Sequence, residues 1–174
     1  MAPYRVLFVC MGNICRSPTA EAVLRHQLDQ AGLSGFVEVD SAGTHAHHVG
    51  EPPDLRSQQH AARRGYDLSV LRARRVAPAD YERFDLLLAM DWDNLSLLEN
   101  GAPDEPALRR KLRRLVDYLP KDSPHAGVQA VPDPYYGGEA GFEHVLDLVE
   151  AACEGLVAYL KAAMPHRVRG ARDH

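Results

Sequence analysis

The chain has 174 residues, with 20 lysines and arginines against 24 aspartates and glutamates for a net charge of −4. That is the size of one domain, without the basic excess that generic nucleic-acid binding needs. No apolar run is long enough to span a membrane, and the first residues lack the basic segment, apolar stretch and small-residue cleavage site of a secretory signal. Three cysteines, an odd number, argue against a secreted disulfide scaffold and for a reducing compartment, so a cytoplasmic protein acting as a monomer is expected.

Residues 4–9 form a short β-branched and aromatic run, long enough for one buried strand and too short for a helix. The stretch Val9-Cys10-Met11-Gly12-Asn13-Ile14-Cys15-Arg16-Ser17-Pro18 follows. A helix is expected over residues 18–31, with Ser17 as its cap and Pro18 at its first position, where a missing N–H costs nothing. Ala20, Val23, Leu24, Leu28 and Ala31 recur on one face, and Gly32 ends the helix. A turn from strand to helix wraps a helix N-terminus, where unpaired N–H groups and the macrodipole favour a dianion such as phosphate. Gly12 and Asn13 tolerate positive φ, which lets successive amides turn inward as a nest. Met11, Gly12, Asn13, Ile14, Cys15 and Ser17 are therefore the candidate phosphate-binding residues.

Two side chains would make such a loop reactive. Cys10 ends the strand, and Arg16, after five intervening residues, stands where loop meets helix. The helix N-terminus, the loop amides and the guanidinium all stabilise negative charge on sulfur, so Cys10 reads as a nucleophile. Arg16 can grip two phosphoryl oxygens with its planar fork. An isolated C-x5-R is more often a core cysteine beside a surface arginine. Here strand, glycine, arginine, serine and proline agree on one geometry.

Residues 36–40 alternate apolar and acidic, a second strand leading into Ser41, which alone reads only as a turn residue. Strand, helix, strand suggests a βαβ unit, and ligands in such sheets bind outside the carboxyl ends of the strands, where Cys10 and Ser41 both lie. His45, His47 and His48 sit in a loop with Gly50, Pro52 and Pro53 and lack the Cys/His framework of a metal site. A helix with a solvated basic face follows over 55–64, closed by Gly65. Residues 84–90 are a buried strand and 91–100 a short helix with Leu95 and Leu98 inward. Residues 108–119 fit a helix, and 115–119 fit a strand equally well. Arg109, Arg110, Arg113 and Arg114 belong on a solvent face of an acidic protein. Prolines on both sides of Asp133 display that acid on a stiff loop with Tyr135 and Tyr136. A last helix spans 142–163, with Cys153 an inert core residue on its apolar stripe. Pro165 stops it, and residues 166–174 read as a frayed tail.

Three ordered motifs, VCMGNICRSP at 9–18, DSAGT at 40–44 and DPYYG at 133–137, resemble those of the low-molecular-weight protein tyrosine phosphatases over nearly the whole chain. The resemblance implies one three-layer α/β domain over residues 1–165, a four-stranded parallel sheet with helices on both faces and the fourth strand ending near Tyr118. It implies phosphotyrosine or aryl phosphate hydrolysis through a phosphocysteine, with a phosphotyrosine protein or a small aryl phosphate as partner and no metal or organic cofactor. Asp133 then protonates the departing tyrosine oxygen and, as carboxylate, activates water. Tyr135 and Tyr136 line the cleft, and Ser41 supports Asn13. The chain departs from the family in two places. His47 stands near a position that is often aromatic, and Leu71 replaces a histidine that backs the loop, which implies a drier or differently bonded backing. Cys15 shares the loop with Cys10 and is either a redox partner or a packing residue. A related arsenate reductase would need a resolving cysteine pair, and none is present. A non-catalytic phosphopeptide module would be expected to lack Cys10, Arg16 or Asp133, and all three are here.

Overall fold

The computed structural model describes residues 2–135 and 138–164. Tyr136, Pro165 and the expected tail lie outside them. Strands β1 (Tyr4–Cys10), β2 (Val37–Gly43), β3 (Leu86–Ala89) and β4 (Leu112–Arg114) form one four-stranded sheet in the order β2-β1-β3-β4. All neighbours are parallel, with Val6 opposite Val39 and Leu86, and Phe8 opposite Ser41 and Leu88. A parallel sheet covered on both faces reads as unbroken apolar sequence, and Val6 to Val9 are fully buried. Val6, Phe8, Leu86 and Leu88 face α1 (Arg16–Gln30) and α6 (Glu139–Ala163), with α2 (Leu55–Arg63) packed against α6. Leu7, Val9, Leu87 and Ala89 face α3 (Asp80–Arg83), α4 (Trp92–Gly101) and α5 (Pro106–Arg109). The three-layer α/β architecture is the one expected from the sequence.

Several boundaries move. Helix α1 begins at Arg16, with Cys15 rather than Ser17 at the cap and no side-chain cap hydrogen bond. Pro18 is tolerated at the third position because the first turn's N–H groups have no intrahelical acceptors anyway. Ser17 is freed from capping and turns inward. Strand β2 runs to Gly43 because its register with β1 continues to Cys10, which places Ser41 inside the strand. The fourth strand lies earlier than expected. It is followed by a 3-10 turn at Leu115–Tyr118, where Asp117 accepts from the Arg114 backbone N–H at 3.1 Å and from its guanidinium at 2.8 Å, which curls the chain out of extension. The basic face of α2 is not merely solvated, since Arg64 pairs with Glu143, Asp147 and Glu150 on α6.

Helix α6 meets the 3-10 turn at Gly155, where a Cβ would stand 1.7 Å from the Tyr118 carbonyl oxygen. A helix-interior glycine replaced by alanine ordinarily gains about 1 kcal/mol. Here backbone blocks the methyl group, so Gly155→Ala should instead cost about 3 kcal/mol, the upper end of ordinary overpacking. Urea unfolding measures it, and a neutral or stabilised variant would show that the helix can lift away freely.

Candidate active site

Cys10 ends β1 and Asp91 lies two residues past β3, so neighbouring strands deliver a thiol and a carboxylate to one edge of the sheet. Between Cys10 and Arg16 the chain curls into a loop around Asn13, the one non-glycine residue with positive φ (58°) among the described residues. The Asn13 amide is fully used. Its Nδ2 donates to Ser17 Oγ at 2.8 Å and to Ser41 Oγ at 2.9 Å, and its Oδ1 accepts from the Arg74 backbone N–H at 3.0 Å. Ser41 in turn donates to Glu21 Oε1 at 2.6 Å. Ser17 Oγ accepts from Asn13 and shares a hydrogen bond with Cys10 Sγ, 3.0 Å away, in which its own hydrogen can point to the sulfur.

Arg16 is 3 % exposed and donates from one Nη1 to Asp91 Oδ2 at 2.6 Å and to the Val131 carbonyl at 3.0 Å. Its Nη2 lies 3.7 Å from Asp133 Oδ2. Burial opposes its charge, but the nearby Cys10 sulfur, Asp91 and Asp133 outweigh that and hold the guanidinium above its ordinary pKa. Asp133 Oδ1 accepts the Tyr135 N–H at 3.0 Å, leaving Oδ2 to face the loop.

Cys10, Arg16, Asp133, Met11, Gly12, Ile14, Cys15, His47 and Tyr135 all line one cleft of about 290 Å³, joined by His45 and His48. Asn13, Ser17 and Ser41 are buried behind it. A wider concavity of about 480 Å³ between Arg25, Glu38, Asp40 and Arg83 holds no cysteine. The histidine rings are engaged otherwise than in a metal site: His45 stacks on His47 at 5.5 Å and His48 Nδ1 lies 2.7 Å from Glu51. Among the described residues no group of His, Cys, Asp and Glu is arranged to hold a metal. Leu71 packs half-buried against the core, while Asn13 takes its support from Ser17, Ser41 and Arg74. Burial pushes the Cys15 thiol up to about 12, against a hydrogen bond with Ser57 and with Asp54 and Cys10 adding to the rise.

Asp91 and Glu21 escaped the sequence reading. An acid directly after a buried strand, at the ligand-binding edge of a parallel sheet, is a usable signal for Asp91. Glu21 lies four residues after Ser17 and one after Ala20, so the apolar stripe of α1 itself carries the carboxylate inward.

A thiol cradled at a helix N-terminus, with a buried arginine beneath it and an acid on a facing loop, defines a cysteine-dependent phosphatase. The chain belongs to the low molecular weight phosphotyrosine protein phosphatase family, whose profile matches residues 5–166. It is 46% identical to the low molecular weight protein-tyrosine-phosphatase of Streptomyces coelicolor over 164 residues, 94% of this chain and 98% of that protein. Among solved structures, a protein tyrosine phosphatase from Entamoeba histolytica with Hepes in its active site superposes with a TM-score of 0.85 at 39% identity. That match covers 92% of this chain and 98% of the other. A Drosophila arginine phosphatase superposes with a TM-score of 0.80 at 34% identity, over 90% and 97% of the two chains.

Glu21 makes the site's support sensitive to pH. Burial raises its pKa above the ordinary 4.5, only partly offset by the Ser41 hydrogen bond and Arg25. The folded state then holds a proton that the unfolded state has released, so stability should fall as pH climbs from about 4.5 through the raised pKa. Glu21→Gln should lose that slope in urea titrations from pH 4.5 to 8, and an unchanged slope would assign the pH dependence to another group.

Proposed function

We propose that Cys10, Arg16 and Asp133 carry the phosphotyrosine phosphatase reaction of this chain, with Ser17 and Ser41 holding the loop. The enzyme hydrolyses phosphotyrosine monoesters through a phosphocysteine intermediate, the activity of its family. The observation that carries the assignment is the convergence on one guanidinium: Arg16 is buried, charge-coupled to Cys10, and 3.7 Å from Asp133.

The phosphoryl group seats in the loop, with its oxygens on inward amides and the Arg16 fork. Cys10 sulfur attacks phosphorus and the bond to the tyrosine oxygen breaks. The departing oxygen takes a proton from Asp133, without which it leaves poorly. The Asp133 carboxylate then accepts a proton from water as the water attacks phosphorus. The P–S bond breaks and the sulfur leaves as thiolate, stabilised by the Ser17 hydroxyl. Pro132 and Pro134 hold the acid on a stiff segment.

The Drosophila neighbour is named an arginine phosphatase, so the scaffold by itself does not fix the leaving group. Tyr135 and the histidines of the cleft favour an aromatic ring, whether on a phosphotyrosine protein or on a small aryl phosphate. A cytoplasmic setting is supported by three free thiols, and no helix among the described residues is long and apolar enough to cross a membrane.

Rapid quench with a labelled aryl phosphate should trap label on Cys10, and Cys10→Ser should abolish turnover. Asp133→Ala should lower kcat/KM by about 10²- to 10⁴-fold, and less for esters of acidic phenols, which need no proton. Losses equal across the leaving-group series would give Asp133 a structural role only.

Cys15 is proposed as the redox partner of Cys10. Peroxide oxidises Cys10 to a sulfenic acid, and the Cys15 sulfur, which burial keeps protonated and slow, loses its proton as it attacks, expels the oxygen as water and forms a disulfide that a dithiol reduces. Peroxide-treated enzyme should show the Cys10 to Cys15 linkage by peptide mapping and recover with dithiol, whereas Cys15→Ser should recover far less. Equal recovery leaves Cys15 a packing residue.

A further inference from the structure

The acid loop is tied down at both ends by arginines, and only one of them belongs to the phosphate loop. At the near end Arg16 donates to the Val131 carbonyl at 3.0 Å. At the far end Arg56, the second residue of α2, donates from Nη2 to the Tyr135 carbonyl at 2.8 Å. The N–H of that same Tyr135 holds Asp133 Oδ1 at 3.0 Å, so the residue that aims the acid is itself anchored by Arg56.

The anchor is well braced. The guanidinium carbon lies over both rings, 4.8 Å from the centre of Phe142 and 5.6 Å from that of Tyr135, within cation–π range. Its Nε and Nη2 stand 3.3 and 3.4 Å from the Asp54 carboxylate. Asp54 connects back to the phosphate loop through its N–H, which donates to the Ile14 carbonyl at 2.8 Å. Phe142 packs with Ile14, Cys15 and Ala73 in a small buried cluster beneath that loop. One planar cation thus touches the acid loop, the start of α6 and the residue hydrogen-bonded to the phosphate loop.

We propose that Arg56 is a positioning residue that holds Asp133 in register with Cys10, so that losing Arg56 impairs proton delivery while leaving the phosphate loop intact. The proposal rests on the reading of Asp133 as the acid. No part of it requires Arg56 to touch the substrate.

The test measures kcat/KM for aryl phosphates spanning a range of phenol acidities, in the intact chain, Arg56→Ala, Arg56→Lys, Asp133→Ala and the Arg56→Ala/Asp133→Ala double variant. Arg56→Ala should lose about 10- to 100-fold with the least acidic phenols, the cost of a misplaced reacting group, and little with the most acidic. In the Asp133→Ala background the same substitution should cost almost nothing, because coupled residues are not additive. Arg56→Lys keeps the charge and a donor but not the planar fork, and should recover part of the loss. It also carries the same comparison if the alanine variant fails to fold. A loss uniform across the phenols, or equal in both backgrounds, overturns the positioning role. If Asp133→Ala shows the leaving-group dependence and Arg56→Ala does not, only Arg56 is reassigned. If Asp133→Ala itself shows none, the acid assignment falls and the role of Arg56 falls with it.

Discussion

The hydrogen-bond capacity of one amide, that of Asn13, is the constraint on which the site depends. A loop that turns its N–H groups inward leaves its backbone without regular partners, and the left-handed conformation at Asn13 would be costly without compensation. Both amide hydrogens and the amide oxygen are satisfied, by residues from α1, β2 and the segment after α2. The loop is therefore fixed by three separate parts of the fold. Preorganised donors of this kind cost no reorganisation at the moment of reaction.

Arg16 presents the complementary problem. A guanidinium withdrawn from water costs several kcal/mol unless it is paired and hydrogen-bonded. Asp91 and the Val131 carbonyl meet that requirement with one of its nitrogens, leaving the rest of the fork toward the cleft. Asp91 also caps α4, accepting the Asn94 N–H at 2.7 Å, so one carboxylate fastens both a helix and the buried Arg16 cation. The sheet edge is thus crowded with charges whose mutual placement comes from strand register.

Local signals were legible where the chain's own periodicity or turn chemistry decides the outcome. The β1 run, the apolar stripes of α1 and α6, and the loop from Cys10 to Arg16 follow from short-range pattern, and so does the display of Asp133 between prolines. What escaped depends on distant partners. Whether Ser17 caps a helix or faces a sulfur is decided by Asn13 and Cys10, and propensity alone favours the cap. Arg64 looks like any solvated base until α6 brings three acids to it. The fourth strand was misplaced because Leu112 to Leu119 is apolar enough for either element, and a side-chain contact from Asp117 settles where extension stops.

The hydrogen bond between Arg16 and the Val131 carbonyl joins residues 115 positions apart. Cys10 and Arg16 are delivered by the first strand and helix, but the loop between them is completed only when Arg74 meets Asn13 and Asp91 meets Arg16. The acid reaches that loop only after β3, β4 and the segment beyond them have docked, and contacts of such long sequence separation bear a large loop-closure entropy. A chain folded only through β2 lacks the Arg74, Asp91 and Val131 contacts of the phosphate loop as well as the carboxylate proposed to release a tyrosine, which makes hydrolysis a reporter of the completed topology.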